Sequence, residues 1–120
     1  MKKTANYVDG FILPVPRKNL TAYKKLARMA RKVWLEHGAL DYLEAMGDDV
    51  PEGKTTSFPM SVKLKKGEVV FFAWATYKNR KHRDQVMKKV MKVPRMGEYE
   101  SKKMPFDGKR MFWGGFKKVI

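Results

Sequence analysis

EVVFFAWATYK, residues 68–78, decides the fold class. Side chains alternate along a strand, so Val69, Phe71, Ala73 and Ala75 point one way and Val70, Phe72, Trp74 and Thr76 the other. Both sets are apolar. That pattern predicts a strand whose two faces both need cover. The stretch that follows, NRKHRDQVMKKVMKV (79–93), has helical spacing, with His82, Val86, Val90 and Val93 on the inner side and bases elsewhere. Pro94 ends it, and a turn or short helix is predicted over 95–103.

Toward the N-terminus, residues 50–67 contain Pro51, Gly53, Pro59 and Gly67 and predict a long loop, with a short extended piece at SVKLK (61–65). ALDYLEAMGDD (39–49) predicts a strand with Leu40, Tyr42, Glu44 and Met46 on one face. RKNLTAYKKLARMARKVWLEHG (17–38) predicts a helix started by Pro16 or Asn19 and stopped at Gly38. Its inner face is Leu20, Tyr23, Ala27, Ala30, Trp34 and His37. NYVDGFILPV (6–15) predicts a first strand ended by Pro14 and Pro16. At the other end, MPFDGKRMFWGGF (104–116) begins with an Asp107-Gly108 turn and leads into a last strand over about 109–118. Met111 and Trp113 fall on one side of it and Phe112 on the other. The two glycines after Trp113 predict a bulge or a close backbone approach, and Trp113 itself is read as core or interface before ligand contact.

The order strand, helix, strand, strand, helix, strand is the split β-α-β, or ferredoxin-like, arrangement of the α+β class. Four antiparallel strands then carry both helices on one face. Residues 6–120 form one domain behind a short tail at 1–5. Helices on one face leave the second apolar side of VVFFAWAT bare, a larger patch than soluble monomers usually show. The simplest cover is a second copy related by two-fold symmetry, so a homodimer with sheets face to face is expected.

The charge is +15, from 27 Lys and Arg against 12 Asp and Glu. Lys18, Lys24, Lys25, Arg28, Arg31 and Lys32 sit on the first helix with Glu36 alone opposing them. Arg80, Lys81, Arg83, Lys88, Lys89 and Lys92 sit on the second against Asp84. The acids cluster between, at Asp41, Glu44, Asp48, Asp49 and Glu52. Two basic helices suggest binding to nucleic acid or another polyanion, nonspecific and salt-sensitive. Against it, no recognition motif is present, and the sheet face on which bases would stack is the one a dimer buries. No cysteine rules out disulfides and thiolate metal sites and fits a reducing cytoplasm. Neither a signal peptide nor a run long enough to span a bilayer is apparent, so a cytoplasmic, membrane-free protein is expected.

YVDGF, EHGALDY, TTSFP and MPFDGKRMFWGGF together resemble the YbaA-like family of small bacterial proteins, a family of unknown function in the dimeric α+β barrel superfamily. The resemblance runs from Tyr7 to about Phe116. It implies a ferredoxin-like protomer and a sheet-to-sheet dimer, and it brings no activity. The superfamily's cofactor-free oxygenases and small-ligand binders imply a pocket between sheet and helices. Its haem-degrading members would cast Asn6, Trp74 and His82 around a haem.

Phosphate-binding glycine loops, Gly-x-Ser-x-Gly, His-Glu-x-x-His and Cys-x-x-Cys are all absent, and neither a cofactor nor a metal is expected. The candidate ligand-binding residues are Asp9, His37, Tyr42, Glu44, Trp74, Arg110 and Trp113. His37 ends the inner face of the first helix, where an imidazole can act as a base or an axial haem ligand, or simply cap the last carbonyls. Asp9 is a carboxylate in mid-strand and must face solvent, pair with a base or line a pocket. Arg110 or Lys109 is the expected partner, because the first and last strands of this fold lie close. Tyr42, Trp74, Tyr77 and Phe106 have the shape to line a pocket for a flat ligand. The function expected is the binding of a small, aromatic ligand between sheet and helices, with an oxygenase-like reaction unsupported by any motif and polyanion binding by the helices at 18–37 and 80–93 as the alternative.

Overall fold

The computed structural model describes residues 4–96 and 104–120. Strands β1 (Tyr7–Pro16), β2 (Asp41–Met46), β3 (Glu68–Tyr77) and β4 (Phe112–Lys117) form one sheet in the order β2-β3-β1-β4. Every neighbouring pair is antiparallel. Helix α1 (Leu20–Glu36), entered through a 3-10 turn at Arg17–Asn19, and helix α3 (Arg80–Val90) lie on one face. Helix α2 is a single turn, Phe58–Ser61, in the long loop.

β1 and β3 pair along their whole length, from Tyr7↔Tyr77 to Pro16↔Glu68. Their odd-numbered residues make the helix-side core. Leu13, Val15, Val69 and Phe71 meet Tyr23 and Leu26 of α1. Tyr7, Ala75 and Tyr77 meet Ala30, Val33 and Trp34 of α1 and Val86 and Val90 of α3. Leu26 and Val33 are buried beside the expected Tyr23, Ala30 and Trp34, and Leu20 and Ala27 pack on the same core partly buried, because the true face is rotated slightly around the helix. Gly38, just past the end of α1, reverses the chain with a φ of +114°, and Asn79 caps the start of α3, its side chain accepting from the His82 N–H.

β1 does not end at Pro14, which is fully buried within it. The Arg17 N–H donates to Gly67 O on the β3 side, so odd-numbered residues of β1 turn their N–H groups toward β3 and even-numbered ones toward β4. β4 reaches only as far as Ile12. Pro14 and Pro16 therefore lack N–H groups where no strand would receive them. SVKLK is not extended either. Ser57 accepts the Met60 N–H and Pro59 occupies the first turn, which starts α2 instead. Lys63, at φ +49°, then turns Val62 inward.

Val62, with Val50 and Leu64, packs on Ile12 and Val70, so the loop covers one corner of the face away from α1 and α3. Phe58 adds a ring contact to Phe72 at 6.1 Å. The rest of that face is bare: Leu43, Phe72, Phe112 and Phe116 are exposed. β4 carries no bulge, since Phe112–Lys117 pairs without interruption with Tyr7–Ile12. The close approach is real. A Cβ on Gly115 would lie 2.8 Å from Tyr7 Cε1 and closer still to its Oη. Asp107 Oδ1 accepts the Lys109 N–H and holds the 3-10 turn Gly108–Arg110 that precedes β4. Of the turn expected over 95–103, residues 97–103 lie outside the described residues.

Candidate functional site

Tyr42 and Glu44 are two apart in β2 and so share the helix side of the sheet. Tyr23, on the inner stripe of α1, reaches the same spot and donates to Glu44 Oε1. Tyr42 Oη donates to Glu44 Oε2 at 2.8 Å. Burial pushes the Glu44 carboxyl above the usual carboxylate range, and the two phenols oppose that. Burial, then the charge of Glu44, pushes both phenols up, so each keeps its proton. The rings are themselves fixed: Tyr23 lies 4.8 Å from Phe71 and 5.6 Å edge-on from Phe106, and Tyr42 lies 5.6 Å from Trp34.

Beside this trio a cavity of about 560 Å³ opens between sheet and helices. Phe11, Leu13 and Ala73 form its floor, and Trp34 belongs to its α1 wall. Met87 and Met91 of α3, then Met96, Met104 and Met111, bring thioethers to it, and Trp113 stands at its half-exposed rim. The size suits a small organic ligand. Unbranched methionines give a wall that adapts to shape.

A second polar group lies on the same face. Asp9 is fully buried, with Arg83 Nη1 of α3 3.4 Å from Oδ1. Arg83 also donates from Nη2 to Tyr7 Oη at 3.2 Å, and its Nε is 3.1 Å from Asp84. Its guanidinium sits over the rings of Tyr7 (5.2 Å) and Trp113 (5.7 Å). Burial raises the Asp9 pKa, and Arg83, then Tyr77, pull it back. Tyr77 Oη is near, though its well-formed hydrogen bonds run from Trp34 Nε1 at 3.1 Å and to Met87 Sδ.

The expected Asp9–Arg110 pair is thus not formed. Arg110 grips Glu68 with both terminal nitrogens (2.8 and 2.6 Å), takes Asp107 through Nε, and donates to Val62 O and Lys63 O. It ties the loop and the start of β3 to the turn before β4, away from the cavity. His37 stays at the end of α1 with Nδ1 2.8 Å from Val33 O and does not line the cavity. Trp74 is on the opposite face, edge-on to Phe72 at 5.6 Å. It cannot meet His82, whose ring packs on Tyr77 and whose Nδ1 accepts the Lys78 N–H, so Asn6, Trp74 and His82 form no common pocket. Tyr42, Glu44 and Trp113 do line one cavity, and Asp9 is a neighbour on its sheet face.

Tyr23, Arg83 and the methionines are the residues that sequence reasoning passed over. Nine methionines in 120 residues was the available signal. Among the described residues no cluster of three His, Cys, Asp or Glu is placed to hold a metal, and no helix is long and apolar enough to cross a membrane.

A family model described as "Protein of unknown function (DUF1428)" matches residues 6–108. The chain is 45% identical over 114 residues to "Uncharacterized protein YbaA" of Escherichia coli (strain K12), covering 95% of this chain and 97% of the relative. The same identity and coverage hold for the protein of that name from Shigella flexneri.

Proposed function

Because the chain belongs to the family of proteins of unknown function described as DUF1428, its role has to be read from its own geometry, and we propose that it binds a small, flat, mostly apolar ligand in the cavity between sheet and helices. One observation carries this reading: a methionine- and aromatic-lined cavity of about 560 Å³ has a carboxylate held by two phenols at its side. Apolar walls supply the driving force, and the Glu44 trio fixes orientation.

The protomer is read as ferredoxin-like, half of a dimeric α+β barrel. The strand order, the all-antiparallel pairing and the placement of both long helices on one face support that reading. A second copy would cover Phe72, Phe112 and Phe116. A cysteine-free chain suits the cytoplasm. The basic outer faces of α1 and α3, where Lys24, Lys25, Arg28, Lys88 and Lys89 are exposed, would attract polyanions by charge alone, without a shaped site.

Thermal denaturation with flavin, haem and naphthoquinone added separately tests the reading, beside an Ala73→Phe chain whose new ring fills the cavity floor. Stabilisation of the native chain by one of them, absent in the filled variant, is the expected result. If none shifts the midpoint of the native chain at saturating concentration, the reading fails.

A further inference from the structure

We propose that the cavity selects ligands that donate hydrogen bonds, aromatic alcohols above all, and turns away carboxylates of the same shape; the inference rests on the cavity-binding reading above. The ground is an inventory of protons. Tyr23 and Tyr42 each have one hydroxyl proton, and both are spent on Glu44. Toward a ligand these groups retain lone pairs only. The Trp34 indole N–H is spent on Tyr77 Oη. Thioether sulfurs, the chief lining of the α3 side, are weak acceptors with nothing to donate. The floor strands have their backbone N–H groups in the sheet ladder. Among the side chains that line the cavity in the described residues, only the Trp113 indole, at the half-exposed rim, retains an N–H or O–H not spent on another group. The interior of the cavity accepts.

A hydroxyl brought beside Glu44 completes this set, and the surrounding apolar wall strengthens the bond to the carboxylate. A ligand carboxylate in the same place would set two anions together in a medium that solvates neither. A carbonyl oxygen would face lone pairs. No ion pair reaches Glu44 among the described residues to soften this. Lys24, Arg28 and Arg31 border a separate groove that Glu44 also touches, and none of them borders the cavity. A chain with a net charge of +15 would therefore hold, at this one place, a preference opposed to its overall attraction for anions.

Three probes of nearly one shape test the idea on the unaltered chain: naphthalene, 2-naphthol and 2-naphthoate, titrated against the fluorescence of Trp34 and Trp113 at fixed ionic strength. 2-Naphthol should bind about tenfold tighter than naphthalene, the worth of one hydrogen bond to a carboxylate, and 2-naphthoate more weakly than naphthalene. In Glu44→Gln, which adds an amide donor and removes the charge, the gap between naphthol and naphthoate should narrow. Naphthoate binding as tightly as naphthol to the native chain overturns the proposal. So does naphthalene binding with no gain from the hydroxyl, which leaves the apolar cavity reading intact. Failure of all three to bind removes both.

Discussion

On the helix-bearing face of the sheet, the two carboxylates Asp9 and Glu44 are each held by side chains from a helix, Arg83 in one case and Tyr23 in the other. On the opposite face Phe72, Phe112 and Phe116 stand exposed, the last by 65%, and only a loop corner built on Val62 gives shelter. The same four strands supply both. The difference teaches that alternation in a strand places apolar groups on two sides but leaves open how each side is finished. One side is closed within the chain by long-range polar contacts around a cavity. The other ends in rings left exposed among the described residues.

The sharpest way to break the first face is to remove Arg83. Arg83→Met should cost about 3 kcal/mol in urea denaturation, because a fully buried Asp9 loses its counter-charge. Adding Asp9→Asn to that variant should restore most of the loss; a double variant no better than the single would show that Arg83 acts through its contacts with Tyr7 and Trp113 instead.

Gly115→Ala comes next. Its new methyl group would overlap the Tyr7 ring, and a loss of about 1–3 kcal/mol is expected, eased by Tyr7→Phe, which removes the nearest atom. Equal stability of both single and double variants would show that β4 shifts freely.

Asp9→Asn alone tests the pH behaviour. The folded pKa of Asp9 is raised, so the folded state binds this proton more tightly than the unfolded one. Its contribution is favourable below the ordinary value of about 4 and is lost as pH rises through the folded value. The native-minus-variant stability difference should therefore be flat in acid and fall on the way to neutral pH. A difference that rises with pH would mean that Arg83 outweighs burial.

The smallest effect on folding belongs to the other face. Phe112→Ser with Phe116→Ser should change unfolding of the single protomer by under about 0.5 kcal/mol, since both rings are exposed in it, yet shift sedimentation from the proposed dimer to a 14.0 kDa species. A native chain that already sediments as the smaller species removes the proposed partner.

The strands and helices were legible because their signals are periodic and local. VVFFAWAT reads as a two-faced strand from its own residues, and Gly38 marks a helix end within a turn of itself. Site partners carry no such signal. Asp9 finds Arg83 from far along the chain, and proximity of the first and last strands suggested Arg110, which Glu68 holds instead. Trp74 looked like Tyr42 in kind, but the parity of its position in β3 sends it to the other face. The methionines are scattered along the sequence, and their convergence is a property of the fold. SVKLK was misread since Ser57 and Pro59, just upstream, start a turn that its own alternation conceals.

The prolines of β1 have an effect beyond the strand itself. Pro14 and Pro16 offer β4 carbonyls but no donors, and the ladder with β4 ends at Ile12↔Phe112, so the chain ahead of Phe112 is free of the sheet. It runs over the α1 side, where Phe106 meets Tyr23 and Met104 and Met111 complete the cavity wall. Two rings in the opening strand thus help to set, from the far end of the sequence, how large that cavity is.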